Sequence, residues 1–88
     1  MSSNLQRALW AERCLDHFAS LTGVDDAADA VGDLIANLGH YCQMKGLDYL
    51  ACVRTAIGHW VVEQIDPEFL GSMPDITIII SESTTHAA

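Results

Sequence analysis

The fold of this chain is decided by residues 25–45, which read DDAADAVGDLIANLGHYCQMK. At about 100° per residue, the large apolar side chains of this stretch fall on one side of a helix, and its polar side chains fall nearly opposite. The apolar stripe consists of Ala28, Val31, Leu34, Ile35, Leu38, Tyr41 and Cys42. The acidic row consists of Asp26, Asp29, Asp33, Asn37 and His40. The pattern therefore predicts an amphipathic helix, capped by Asp25, that buries the stripe and exposes the row.

Helical patterns on both sides of this segment predict two further helices. The first spans residues 4–22 and is followed by Gly23, which supplies a left-handed C-terminal residue. Gly46 ends the central helix, and Asp48 caps a third helix that runs to about Ile65. The connection between the second and third helices is so short that we expect an antiparallel hairpin. The prediction is an all-α fold, a small antiparallel bundle of three main helices.

The C-terminal part of the chain differs in character from the helical part. Pro67 forbids continuation of the third helix. Residues 76–80, Ile-Thr-Ile-Ile-Ile, strongly favour an extended strand. Such a segment can pair with a copy of itself, add to the sheet of a partner, or lie extended on the bundle. We expect a helical domain over residues 1–73 and a tail over residues 74–88, with disorder over residues 81–88.

Charge and composition exclude several classes of function. The net charge is −8, with twelve acidic residues against four basic ones, which disfavours direct binding of nucleic acid or of anionic membranes. It permits binding of a divalent metal ion or of a protein with a basic surface. The three cysteines form no CxxC pair, so we expect reduced core cysteines. No apolar run approaches membrane-spanning length, and we expect a cytoplasmic protein.

The hydrophobic content predicts self-association. Half of the 88 residues are hydrophobic, which is more than a monomer of this size readily buries. The first helix carries two adjacent apolar stripes, and small residues form a seam along the central helix. The predicted homo-oligomer interface consists of Leu9, Trp10, Phe18, Gly32, Ala36 and Gly39.

The acidic row admits two interpretations. Asp29, Asp33, Asn37 and His40 offer oxygen and nitrogen ligands on successive turns, which suits Mg²⁺ or Mn²⁺. The same row is also what a solvated helix face looks like, and no GxSxG, phosphate-binding glycine loop or HExxH motif accompanies it. We therefore expect no catalytic residue, no cofactor and no metal. We expect the row, from Asp26 to His40, to bind a protein partner.

Residues 29–60 resemble part of the all-α nucleoside triphosphate pyrophosphohydrolases, the MazG-like and dimeric dUTPase group. The resemblance lies in residues 29–34 (DAVGDL), which stand where the family has E-E-x-x-D, and in residues 46–48 (GLD), which match its turn. It implies an alternative function, hydrolysis of a nucleotide with Mg²⁺ or Mn²⁺ held by Asp29, Asp33 and Glu12. Ala30 stands in place of one of the family's acids.

A second resemblance is to small proteins of phages and mobile elements. It lies in residues 33–40 (DLIANLGH), 46–49 (GLDY) and 56–63 (AIGHWVVE). Short acidic proteins of such origin include inhibitors of host defence, anti-CRISPR proteins among them. The resemblance implies a protein that acts by binding another protein. A structural accessory subunit is a third possibility.

Overall fold

The structure, a computed structural model, describes residues 3–82. Three α-helices account for most of these residues. Helix α1 spans Asn4–Thr22, α2 spans Ala27–Lys45 and α3 spans Tyr49–Glu63. Helix α1 packs against α2, and α2 packs against α3. The predicted all-α bundle is confirmed, and no strand occurs within residues 3–82.

Local capping groups set the bounds of α1. The Ser3 hydroxyl oxygen accepts a hydrogen bond of 3.0 Å from the Gln6 amide, satisfying one free N–H at the start of the helix. Gly23 adopts a left-handed conformation with φ of 80°, and its N–H donates to the Ala19 carbonyl at 2.8 Å. The predicted span of the first helix is therefore confirmed.

Helix α2 begins one residue later than its predicted cap, Asp25, would place it. Asp26 is the N-cap rather than Asp25, and its Oδ2 accepts a hydrogen bond of 3.0 Å from the Asp29 amide. The four residues from Gly23 to Asp26 are non-helical because they form the turn between α1 and α2. The prediction that Asp25 caps this helix is wrong, since Asp25 belongs to that turn.

The α2–α3 connection is a tight hairpin, as predicted. Gly46 has φ of 72°, and its N–H donates to Gln43 O, while Leu47 N–H donates to Cys42 O at 2.8 Å. This pair of bonds satisfies the last free carbonyls of α2. Asp48 Oδ1 then accepts from the Ala51 amide at 3.0 Å and starts α3. Helix α3 ends at Glu63, two residues before the predicted end.

A polar cluster joins the start of α1 to the end of α3. Arg7 Nη2 donates to the Pro67 carbonyl at 2.8 Å, and Arg7 Nε lies 3.5 Å from Glu63 Oε2. Asn4 Nδ2 donates to the Glu63 carbonyl at 2.7 Å and its Oδ1 accepts from Arg7 Nη1. The junction is therefore held by hydrogen bonds and one ion pair.

The C-terminal segment lies extended on α3 and forms no strand. Gly58 of α3 is buried, and a Cβ added to it would lie 3.7 Å from Cβ of Met73 and from the Pro74 carbonyl oxygen. Of the isoleucines that follow, Ile76 and Ile78 are half-buried, whereas the last two are exposed. Residues 73–74 thus pack on α3 in the single chain. Pairing of residues 76–80 with a copy of the segment, or with the sheet of a partner, stays a prediction. The disorder expected over residues 81–88 falls mainly on residues 83–88, which lie outside the described residues.

The bundle has very little core. Within residues 3–82, the only buried hydrophobic side chains are Ala30 and Cys42. The expectation that α2 buries its apolar stripe is wrong, because Val31, Ile35 and Leu38 are between 44% and 48% exposed. None of the helices within this part of the chain is long and apolar enough to cross a membrane.

Candidate functional site

The acidic row forms one continuous exposed surface on α2. All five of its members are exposed to solvent. On a helical projection they fall within an arc of about 80°, because the spacings of three, four and seven residues return to nearly the same side of a helix. The structure therefore brings together the residues predicted to bind a partner: Asp26, Asp29, Asp33, Asn37 and His40.

Two members of the row also stabilise the start of α2. Asp26 caps the helix, and Asp29 lies in its first turn, where the positive end of the helix dipole favours a carboxylate. Asp33 lies one turn further on and has no such role. Both residues are nevertheless exposed, and the Asp26 carboxylate uses only its Oδ2 in the cap.

Within the described residues, no basic side chain is paired with the row. Among residues 3–82, the single ion pair joins Arg7 to Glu63 at the α1–α3 junction. The side chains of Asp26, Asp29 and Asp33 are thus exposed, and none of them has a basic partner among residues 3–82. With a net charge of −8, the protein presents a negative field on this side of α2.

A cleft that the sequence analysis missed extends the negative surface onto α1. Glu12 and Asp16 of α1 face Asp25 and Asp26 across it, and the buried side chain of Ala30 lies in its lining. Glu12 and Asp16 are four residues apart and therefore project from the same side of α1. That spacing was visible in the sequence, but which helix they face depends on how α1 packs. We call this feature the α1–α2 cleft.

The residues of the alternative metal site do not come together. Among residues 3–82, no group of three or more histidine, cysteine, aspartate or glutamate side chains is placed to hold a metal ion. Glu12 lines the α1–α2 cleft, whereas Asp29 and Asp33 do not. The set of Glu12, Asp29 and Asp33 is therefore divided between two surfaces.

The residues predicted for an oligomer interface have different surroundings. Leu9 and Trp10 are about half exposed, Phe18 is half-buried, and Gly32 and Ala36 are exposed. A Cβ added to Gly39 would lie 3.1 Å from Cε2 of Tyr49, so the Tyr49 ring of the same chain already covers this glycine. Part of the small-residue seam therefore serves the α2–α3 contact.

The cysteines differ in burial and in environment. Cys42 is buried, whereas Cys14 and Cys52 are exposed, so the expectation of three core cysteines holds for one of them. Burial raises the pKa of the Cys42 thiol, and the nearby Cys52 thiol raises it further through its charge and a hydrogen bond. Cys42 and Cys52 are thus neighbours across the hairpin. A raised pKa disfavours the thiolate, the reactive form of cysteine.

The chemistry that this surface supports follows from its charge and exposure. Solvated carboxylates on a well-formed helix attract cationic groups and accept hydrogen bonds from lysine and arginine. Comparison with protein-family models, with curated proteins and with solved structures finds no match to this chain. The geometry and charge of α2 are therefore the observations on which a function can be proposed.

Proposed function

We propose that this chain acts by binding a protein that carries a basic surface, and that the acidic row of α2 is the contact surface. One observation carries the proposal: the carboxylates of Asp26, Asp29 and Asp33 share one exposed side of a 19-residue helix without a basic partner in the described chain. A helix presents such charges in a fixed arrangement, which lowers the entropy lost on binding.

The α1–α2 cleft strengthens this proposal by enlarging the negative surface. Glu12 and Asp16 add two carboxylates beside Asp26, which belongs to both the cleft and the row. Charges of one sign on adjoining surfaces steer an oppositely charged partner, and such steering raises association rates towards about 10⁸ M⁻¹s⁻¹ at low salt. The expected partner therefore carries clustered lysine or arginine residues.

The sharpest form of the proposal is a phage-type inhibitor of a host defence system, acting in the cytoplasm. The resemblance to small phage and mobile-element proteins supports it, and its residues 33–40 and 56–63 lie on α2 and α3. Proteins that bind nucleic acid do so through basic surfaces that neutralise phosphates. A carboxylate surface that binds to the basic surface of such a protein would exclude the nucleic acid. This exclusion would be the physical mechanism of inhibition.

The test begins with capture of partners from host-cell extract on the tagged protein, followed by kinetics with the purified partner. Changing Asp29 and Asp33 to Lys should slow association at least about tenfold, and raising salt to about 1 M should slow the unmodified protein similarly, because the Debye length falls to about 3 Å. The matched control changes Glu68 and Asp75 to Lys, two exposed acids outside α2. A partner whose binding ignores both the salt and the α2 substitutions would refute the proposal.

A second arm of the same experiment separates the row from the C-terminal segment. Deletion of residues 74–88 removes the isoleucine-rich stretch but leaves the acidic row in place. If the partner instead binds by adding the isoleucine-rich stretch to its own sheet, this deletion abolishes binding, and raising the salt concentration has little effect on affinity. We expect binding to survive the deletion.

The alternative class is a divalent-metal-dependent nucleotide pyrophosphohydrolase, which the partial resemblance of residues 29–60 to the MazG-like group implies. We expect no hydrolysis of nucleoside triphosphates with Mg²⁺ or Mn²⁺. Pyrophosphate release at about 1 s⁻¹ or faster, lost in Asp33→Ala, would replace the binding proposal with this one. Capture of a partner whose activity is unchanged by binding would instead indicate a structural accessory subunit.

A further inference from the structure

The apolar stripe of α2 is left open on the side that a bundle would normally bury. Ala30 lines the α1–α2 cleft and so faces α1, whereas Cys42 neighbours Cys52 and so faces α3. On a helical projection, Val31 and Leu38 lie between these two positions. Both are nearly half exposed. The surface between the α1 and α3 contacts is therefore apolar and uncovered.

The chain exposes more surface than a compact monomer of its mass. The accessible surface is 7162 Å², whereas a folded monomer of 9.6 kDa is expected to expose about 5,100 Å². The excess is about 2,000 Å² per chain. The radius of gyration also exceeds that of a compact chain, since it is 15.7 Å and a compact chain of this length has about 12 Å.

We propose that a second copy of this chain covers the apolar stripe of α2, so that the protein is a two-fold symmetric dimer. Exposed side chains outside α2, such as Ile65 and Leu70, contribute part of the excess. Burial of half of the excess on each chain already gives an interface of about 2,000 Å², the lower end of the range of about 2,000–5,000 Å² for obligate homodimers. Apolar residues at positions 31, 34, 38 and 41 alternate spacings of three and four, which allows two helices to pack along one seam. The two copies of α2 meet along their apolar stripes.

The distribution of charge is compatible with pairing of two acidic chains. The acidic row lies nearly opposite the stripe on α2, so two stripes meet while both rows face solvent. From residue 30 to residue 44, the stripe side carries no charged residue; Asp33 and His40 belong to the row. The dimer therefore leaves the proposed partner-binding surface free, and it does not depend on that proposal being right.

The test measures mass in solution for the full chain and for two matched variants. Sedimentation equilibrium should give about 19 kDa, twice the 9.6 kDa of one chain, at concentrations from about 1 to 100 µM. Leu38→Glu places a charge on the stripe and should give the monomer mass. Gln43→Glu adds the same charge to an exposed position of α2 away from the stripe and should leave the dimer intact.

Two further measurements cover the case in which Leu38→Glu fails to fold. The melting temperature of the unmodified protein should rise with protein concentration, since dimer formation stabilises the folded chain. Amides of α2 should exchange hydrogen more slowly above the dissociation constant than below it, and those of α1 should change less. A monomer mass at about 100 µM, a melting temperature independent of concentration, or a dimer unchanged in folded Leu38→Glu would each overturn the inference.

Discussion

The Tyr49 hydroxyl donates a hydrogen bond of 2.6 Å to the carbonyl oxygen of Ile35, joining the first turn of α3 to the middle of α2. The aromatic ring of Tyr49 meanwhile lies against Gly39, where no side chain stands in its way. The Tyr49 contact joins α2 to α3, and the Arg7 cluster joins α1 to the end of α3, in a bundle with little buried apolar surface. Both can be tested by single substitutions.

Two glycines of α2 should respond in opposite ways to alanine. Gly32→Ala adds a methyl group where nothing lies within 4 Å, and it should raise the free energy of unfolding by about 0.5–1 kcal/mol because glycine weakens a helix interior. Gly39→Ala gains the same helix propensity but places Cβ 3.1 Å from the Tyr49 ring. Its net effect should be at least about 1 kcal/mol less favourable than that of Gly32→Ala. Urea unfolding at one protein concentration measures both, and equal effects would show that the Tyr49 contact is unimportant.

Arg7 should matter more than its partial exposure implies. Arg7→Gln removes the hydrogen bond to Pro67 O and the ion pair with Glu63, and it should lower the free energy of unfolding by about 1–2 kcal/mol. Arg13→Gln makes the same change at an exposed position of the same helix and should cost less than about 0.5 kcal/mol. Urea denaturation followed by circular dichroism compares the two. If both variants lose the same amount, net charge rather than the junction explains the effect.

The N-cap of α2 can be assigned by a neighbouring pair of substitutions. Asp26→Ala removes the acceptor of the Asp29 amide and should cost about 1 kcal/mol. Asp25→Ala makes an identical change of charge and size one residue earlier, in the turn, and should cost less than about 0.5 kcal/mol. Thermal unfolding monitored at 222 nm gives the comparison, and a larger loss at Asp25 would contradict the capping geometry.

The Cys42 thiol should react slowly and only at raised pH. Because burial raises its pKa, the thiolate forms at higher pH in the folded chain than in the unfolded chain. Iodoacetamide labelling of Cys42, read by peptide mass spectrometry, should therefore show a pH profile displaced upward from that of the same residue in urea. Coincident profiles would show that the folded structure does not protect this thiol.

The same shift has a consequence for stability. The folded chain holds the Cys42 proton more tightly than the unfolded chain, so its contribution to the free energy of unfolding is fully present below the unfolded-state pKa. That contribution is lost as pH rises through the folded-state pKa. Unfolding free energies measured across the alkaline range should fall less steeply in Cys42→Ala than in the unmodified protein.

The sequence by itself determined where the helices lie. The helix ends are set by hydrogen bonds and backbone conformations that involve only a few neighbouring residues, so the local sequence predicts them. The residues concerned are Ser3, Gly23, Gly46 and Asp48. The acidic row could equally be predicted from the sequence, because side chains spaced by three, four or seven residues lie on the same side of a helix. The full exposure of the row in the structure follows from that spacing.

Only the tertiary structure decided how much of each apolar side is covered. Three features depend on how the helices pack together: the exposure of the α2 stripe, the presence of Glu12 and Asp25 in one cleft, and the burial of Cys42 alone among three cysteines. The isoleucine-rich segment shows the same limit, because its local propensity for a strand is realised only where a second strand is available. Here Ile76 and Thr77 line a pocket together with Arg54 and Thr55 of α3, while Ile79 and Ile80 are exposed.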